Sequence, residues 1–254
     1  MFIDSAARKA FSAVGSVARP VLNRPVEGEG PRFRGGAGGR GYRVDDGFEP
    51  APPSRKRPSD ILREYTVAPT EMTKWPKVFG RPVPGAREVT VGEAAMLDDL
   101  GWIRAKGVRD LAGRAETEAL ERFPPQGNSN GHADAFRHAY ANALLTRARG
   151  EEWTAAFTTA HEGNPASSQL SVAMDLYNNE VGRRIARENP YASDEELADL
   201  VQRAVENGEM VVIGKDLKLH YSDTVPVDAA APANDELPLG TRNAGKEVEP
   251  PYTV

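Results

Sequence analysis

The sequence predicts a mainly α-helical bundle with a small C-terminal β-hairpin and disordered N- and C-terminal tails. Three observations predict it. Apolar residues recur at helical spacing through most of residues 88–222; capping patterns and Gly or Pro breaks divide that stretch into helix-length pieces; and the two ends are rich in Pro, Gly, Ala and charge instead. With 254 residues of which 39% are hydrophobic, the chain can fill one core of roughly 120–140 residues but not its whole length. The expected organisation is therefore a flexible Pro/Gly-rich arm over 1–87, a helical domain over 88–222 and a tail over 223–254.

Within the arm, Ile3, Ala7, Phe11 and Val14 are spaced as on one short helix, too weakly apolar to stand alone. From Pro20 to Pro84 the chain holds eleven of its twenty prolines and the cluster Gly35-Gly36-Ala37-Gly38-Gly39, so regular structure is disfavoured there. Order is expected near Thr90, where Thr90-Val91-Gly92-Glu93 forms a capping box. Met96, Leu97, Leu100 and Ile103, then Val108, Leu111, Ala115 and Phe123, follow as one interrupted helix or two, with Gly101 and Gly107 as weak points. Pro124-Pro125 ends this region, and further helices are expected over 132–149, 151–162 and 169–188. Ser193-Asp194-Glu195-Glu196 is a second capping box opening a helix to about Glu206. Val211-Val212-Ile213 and Leu219-His220-Tyr221, joined through Gly214-Lys215-Asp216, read as the hairpin.

Composition excludes several classes. Cysteine is absent, which removes disulfides, thiolate metal sites and a cysteine nucleophile. No apolar run approaches transmembrane length, and the first twenty residues lack the apolar segment of an ordinary signal peptide. The net charge is −5, with eleven basic against seven acidic groups in residues 1–60, so the remainder is acidic and offers no basic groove. Nucleic acid is accordingly an unlikely partner, although Arg32, Arg34, Arg40 and Arg43 in the Gly-rich arm leave it as a third possibility.

The informative stretch is 127–184. Asp134, His138 and Asn142 are spaced i, i+4, i+8 and form a polar stripe opposite Ala135, Phe136, Ala139, Tyr140 and Ala143. His161-Glu162 closes the next helix, and Asp175, Asn178 and Asn179 share a face of the one after, with Gly182 a turn later to admit a close neighbour. Oxygen and imidazole donors suit a divalent cation such as Ca, Mg, Mn or Zn, and Asp134, His138, His161 and Asp175 are the expected ligands or their immediate neighbours. Glu162 and His161 would serve proton transfer to and from a water nucleophile, while Arg137 and Arg183 would hold an anionic group. Bland assignments compete: His138 as a helix-surface hydrogen bonder, Asp175 as a salt bridge to Arg137, His132 at a helix start and His220 on a hairpin surface. Against them stands the cost of burying so many polar groups in an ordinary core.

Ala135-Phe136-Arg137-His138-Ala139-Tyr140-x-Asn142-Ala143-Leu144, Ala160-His161-Glu162 and Met174-Asp175-Leu176-x-Asn178-Asn179-x-x-Gly182 resemble the three blocks of a largely uncharacterised bacterial domain found at the C-terminus of large secreted, toxin-like proteins. The likeness covers about residues 90 to 190, and Ala141 stands where that domain commonly has Trp. The resemblance implies a secreted effector or polymorphic-toxin domain, delivered by a specialised secretion system from the cytoplasm. Its functional positions would be His138, His161, Glu162, Asp175 and Asn179, with a secretion or immunity protein as a possible partner. A remoter similarity, of composition and architecture, is to lipid II phosphatase toxins, which implies a phosphate-containing lipid or cell-wall precursor as substrate. The expectation is thus a metal-dependent hydrolase of a phosphodiester or pyrophosphate. The alternatives are a non-enzymatic interaction module and, after it, a metal-dependent nuclease.

Overall fold

The computed structural model describes residues 55–123, 129–227 and 229–231. Seven helices and two antiparallel two-stranded hairpins occur among them: α1 (Pro58–Glu64), β1 (Met72–Val78), β2 (Arg81–Thr90), α2 (Val91–Leu100), α3 (Trp102–Arg122), α4 (His132–Arg149), α5 (Glu151–Glu162), α6 (Gln169–Glu188), α7 (Asp194–Glu206), β3 (Val211–Ile213) and β4 (Leu219–Tyr221). The expected helix at residues 3–18, the Gly-rich stretch, Pro124-Pro125 and the last residues lie outside the described part.

The helical domain starts earlier than its sequence predicts. Pro58 stands in the first turn of α1, where its missing N–H costs nothing, and Ile61 from that helix is fully buried in the main core. Prolines 76, 82 and 84 lie within a two-stranded ribbon, whose outer edges need no ladder donor, so they are compatible with β1 and β2. A boundary at 88 is therefore corrected to about 55. At the other end Ala231 is buried and its amide donates to Ile213 O at 2.8 Å, so the ordered chain runs past the expected limit of 222.

Thr90 ends β2 and caps α2, with the reciprocal Thr90–Glu93 bonds of a capping box, and Ser193–Glu196 repeats the device on α7. Gly101, at φ 73°, separates α2 from α3, whereas the helix runs through Gly107. Helix α4 is the centre of the bundle. Phe136, Tyr140 and Leu144 bury its apolar side against α3, α7 and the C-terminal hairpin, while a smaller core holds Trp75, Leu97, Ala105, Val108 and Leu145. Its polar stripe is buried as well, because α5 and α6 cover it. Helices α4 and α6 meet at Gly182, where a methyl group would come within 2.0 Å of the Ala139 carbonyl oxygen. That contact sets how closely the polar faces of the two helices approach.

Candidate functional site

The i, i+4, i+8 spacing on α4 places Asp134, His138 and Asn142 along the seam with α6, and the close crossing at Gly182 brings Asp175 and Asn179 opposite them. One nitrogen of His138 and one oxygen from each of Asp134 and Asp175 lie within 4.8 Å of one another, so the group could hold a metal ion. His138 Nε2 is 3.4 Å from Asp134 Oδ1 and 3.5 Å from Asp175 Oδ1, and its other nitrogen, Nδ1, is 3.6 Å from Glu162 Oε1 at the end of α5. The ring therefore faces two carboxylates with one nitrogen and a third carboxylate with the other. At 3.6 Å, beyond hydrogen-bond distance, Glu162 acts on the ring through its charge.

The two aspartates are held differently. Asp134 accepts from the Asn130 amide at 2.6 Å and from Arg137. Burial alone would raise its pKa, but the Arg137 guanidinium and the His138 ring outweigh it, and the carboxyl titrates below its usual range. Asp175 is buried with no hydrogen-bond partner for Oδ1. Its desolvation, with the neighbouring charges of Glu162 and Asp134, pushes it well above the usual carboxylate range despite His138 and Arg137. For His138 burial and the neighbouring Arg137 oppose the charge, yet Asp175 and Asp134 together outweigh them and the ring binds a proton more readily than in water. Arg137 Nη2 lies 3.1 Å from His138 Nε2; of these members its side chain, 31% exposed, is the one that reaches solvent.

A hydrogen-bonded chain continues the seam. Asn179 Nδ2 donates to Glu162 Oε1 at 3.4 Å, Asn142 Nδ2 donates to Asn179 Oδ1 at 2.5 Å, and Asn142 Oδ1 accepts from Thr158 at 3.1 Å and from Arg183 at 2.9 Å. Asn142 and Asn179 are thus the linkers that tie the position of Glu162 to the backbone of α4, through the bond from Asn142 Nδ2 to His138 O.

In this domain of seven helices, then, the structure brings together Asp134, Arg137, His138, Glu162, Asp175, Asn142 and Asn179, and it corrects four other expectations. His161 is not among the clustered donors. Its ring, 54% exposed, turns to Glu93 Oε1 at 2.8 Å, because the end of α5 packs beside the capping box of α2. Burial would lower the pKa of this histidine, but the Glu93 bond and the nearby Glu162 raise it to about 9. Asn178, one residue from Asn179, points away from the seam and holds the hairpin by two bonds, Nδ2 to Val211 O at 2.9 Å and Val211 N to Oδ1 at 3.0 Å. Arg183 reaches the seam at Asn142, a helical turn beyond His138, rather than at the carboxylates. His138 is buried rather than on the helix surface. Asn130, Thr158 and Glu93 are participants that the sequence does not single out: Asn130 reaches Asp134 through its backbone, and Glu93 reads from its spacing to Thr90 only as a cap.

Family comparison matches residues 102–209. The matching family is described as a domain of unknown function (DUF6973). The chain is similar to it from the start of α3 to just beyond α7, a segment that contains Asp134, His138, Glu162 and Asp175. No curated protein and no solved structure matches the chain. Among the described residues no helix is long and apolar enough to cross a membrane.

Proposed function

We propose that the Asp134–His138–Asp175 cluster binds a divalent cation and that the chain is the hydrolytic module of a secreted, toxin-like effector, acting on a phosphodiester or pyrophosphate. The observation that carries this reading is Asp175 Oδ1, a buried acceptor without a donor, aimed at the same point as Asp134 and His138. Native interiors seldom leave such an atom unsatisfied, and a cation supplies what it lacks. A divalent ion there would polarise a phosphoryl oxygen and acidify water. The chain's own residues supply the rest. Glu162 places a negative charge 3.6 Å from Nδ1 of the imidazole, Asn130 N anchors Asp134, and Arg137, 31% exposed beside Asp134, is where a guanidinium would meet the anionic oxygens of a substrate. Water is the nucleophile this reading uses, since the chain has no cysteine. Lipid-linked substrates come before nucleic acid because residues 61–254 carry 21 basic against 30 acidic groups.

One observation favours a second reading, a non-enzymatic module whose seam is purely structural. Arg137 already bonds Asp134 and touches His138, so part of the charge is compensated from within the chain. Two cavities, of about 640 and 560 Å³, lie away from the cluster, along residues 188–203 and beside α1.

The two are separated by metal analysis of the full chain after dialysis against Zn²⁺, Mn²⁺, Mg²⁺ or Ca²⁺, together with hydrolysis assays on a lipid pyrophosphate, a phospholipid and an oligonucleotide, with and without chelator. The enzyme reading expects one equivalent of ion and chelator-sensitive release of phosphate. Glu162→Gln should weaken ion binding by about 10- to 100-fold. Absence of stoichiometric ion together with absence of turnover would sink it and leave the structural module.

A further inference from the structure

We propose that the tip of the β1–β2 ribbon and the start of α3 form a docking surface for an anionic lipid bilayer. The proposal does not rest on the hydrolase reading. Its first support is a group of large apolar side chains turned to solvent: Phe79 is 101% exposed, Ile103 85%, Trp102 62% and Val78 55%. The ribbon turns through Phe79 and Gly80, both at positive φ (48° and 75°). Such a two-residue turn is served at least cost by Asn, Asp or Gly, so a phenylalanine there burdens the fold and is matched by no contact inside it.

The second support is charge. Between Met72 and Arg87 the chain carries Lys74, Lys77, Arg81 and Arg87, all exposed, and no Asp or Glu. Arg104 and Lys106 follow Ile103, Lys106 paired with Asp110. Glu88 stands across the ribbon from Lys74, and Asp98 and Asp99 precede Trp102, so the uncompensated basic charge is that of Lys77 and Arg81 on either side of Val78 and Phe79, where it complements a surface of acidic headgroups over an apolar interior. The ribbon is also fixed at its base to the start of α3. Trp75 is buried at the base of the ribbon, lies 6.3 Å from Trp102 between ring centroids and donates from Nε1 to Asp98 Oδ1 at 2.7 Å, which locks the ribbon to the α2–α3 corner. Trp102 is an amphipathic ring of the kind that settles at headgroup level.

The same residues disfavour a protein occupant. A peptide adding a strand to this ribbon would meet Pro76 on β1 and Pro82 and Pro84 on β2, each lacking a donor. A partner helix needs a groove, whereas Phe79 is fully exposed on a two-residue turn and lines neither the cavity along residues 188–203 nor the one beside α1.

The test is flotation of the full chain with vesicles of phosphatidylcholine alone and of phosphatidylcholine with an equal part of phosphatidylglycerol, at low and high salt. The expected result is retention by the anionic vesicles, weakened by salt, and a loss of roughly tenfold or more in Phe79→Asp. Ile103→Asp at the other half of the patch should act alike, and Lys77→Glu with Arg81→Glu should abolish the preference for anionic lipid. All these side chains are exposed, and unchanged thermal unfolding checks that the variants fold. Equal retention of wild type and both aspartate variants, or no retention at all, overturns the proposal. So does a concentration-dependent dimer that Phe79→Asp dissolves without any effect on vesicle binding, since the patch would then join two copies of the chain.

Discussion

Asn178 and Asn179 are neighbours on α6 and both fully buried, yet they belong to different parts of the molecule. Asn178 faces the C-terminal hairpin and pairs its amide oxygen and nitrogen with the N–H and C=O of Val211, so this junction is closed and every group is answered. Asn179 faces the opposite seam, where its bonds to Asn142 and Glu162 stop short of Asp175, whose Oδ1 has no hydrogen-bond partner and lies 3.5 Å from His138 Nε2. Burial alone does not separate architecture from a site. The distinction lies in the balance of donors and acceptors: a satisfied buried amide holds two elements together, while an unsatisfied buried carboxylate is a demand for something else.

The sharpest way to break both regions at once is to separate the helices that carry them. Gly182→Val would drive side-chain atoms into the Ala139 carbonyl, which has backbone on both sides and little room to retreat. A loss above about 4 kcal/mol, or failure to fold, is expected in denaturant unfolding. Asn178→Ala comes next. It leaves the amide and carbonyl of Val211 buried without partners and should cost about 2–4 kcal/mol, with ion binding by whatever protein remains folded unchanged. Parallel loss of ion affinity in that variant would show that the two regions are coupled and the comparison false.

How much of this was legible beforehand depended on whether a feature was local. Helix limits at 151–162 and 169–188 and both capping boxes follow from caps and breakers a few residues apart, and the structure has them there. The convergence of Asp134, His138 and Asp175 was visible as two polar stripes plus a glycine that permits close packing. The misassignments have a common cause. Sequence proximity groups His161 and Asn178 with the cluster, but side-chain direction is set by the partner element, the capping box of α2 for one and β3 for the other, and neither is encoded locally. The ribbon over 72–90 was hidden because prolines argue against strands in general, while an isolated two-stranded ribbon has free edges that accept them.

Asp175→Asn sharpens the comparison from the other side. The amide keeps the shape, removes a buried charge and can donate, so stability should change by no more than about 1 kcal/mol or rise. Ion binding should fall below detection by titration calorimetry. A large destabilisation instead, of the size expected for Asn178→Ala, would make the Asp175 carboxylate a structural element like its neighbour and would remove the main support for a cation site.

The smallest effect belongs to a third kind of polar contact, the half-exposed pair of His161 and Glu93. His161 titrates at about 9 in the fold against an ordinary 6.5, so its contribution to stability is complete below about pH 6.5 and disappears as pH rises through about 9. Burial would raise Glu93, but the bond from His161 and those of Thr90 lower it, so its contribution is present above its ordinary value of 4.5 and is lost as the solution is acidified through its lower folded value. The two windows overlap between about pH 4.5 and 6.5, where the pair stabilises most. With the ring 54% exposed, solvent screening reduces the gain to under about 1 kcal/mol. Urea unfolding of wild type and His161→Gln at a series of pH values should give a difference that is largest near pH 6 and vanishes above pH 9. A difference that instead persists unchanged to pH 10 would mean that His161 stabilises by packing against α2 and not by its charge.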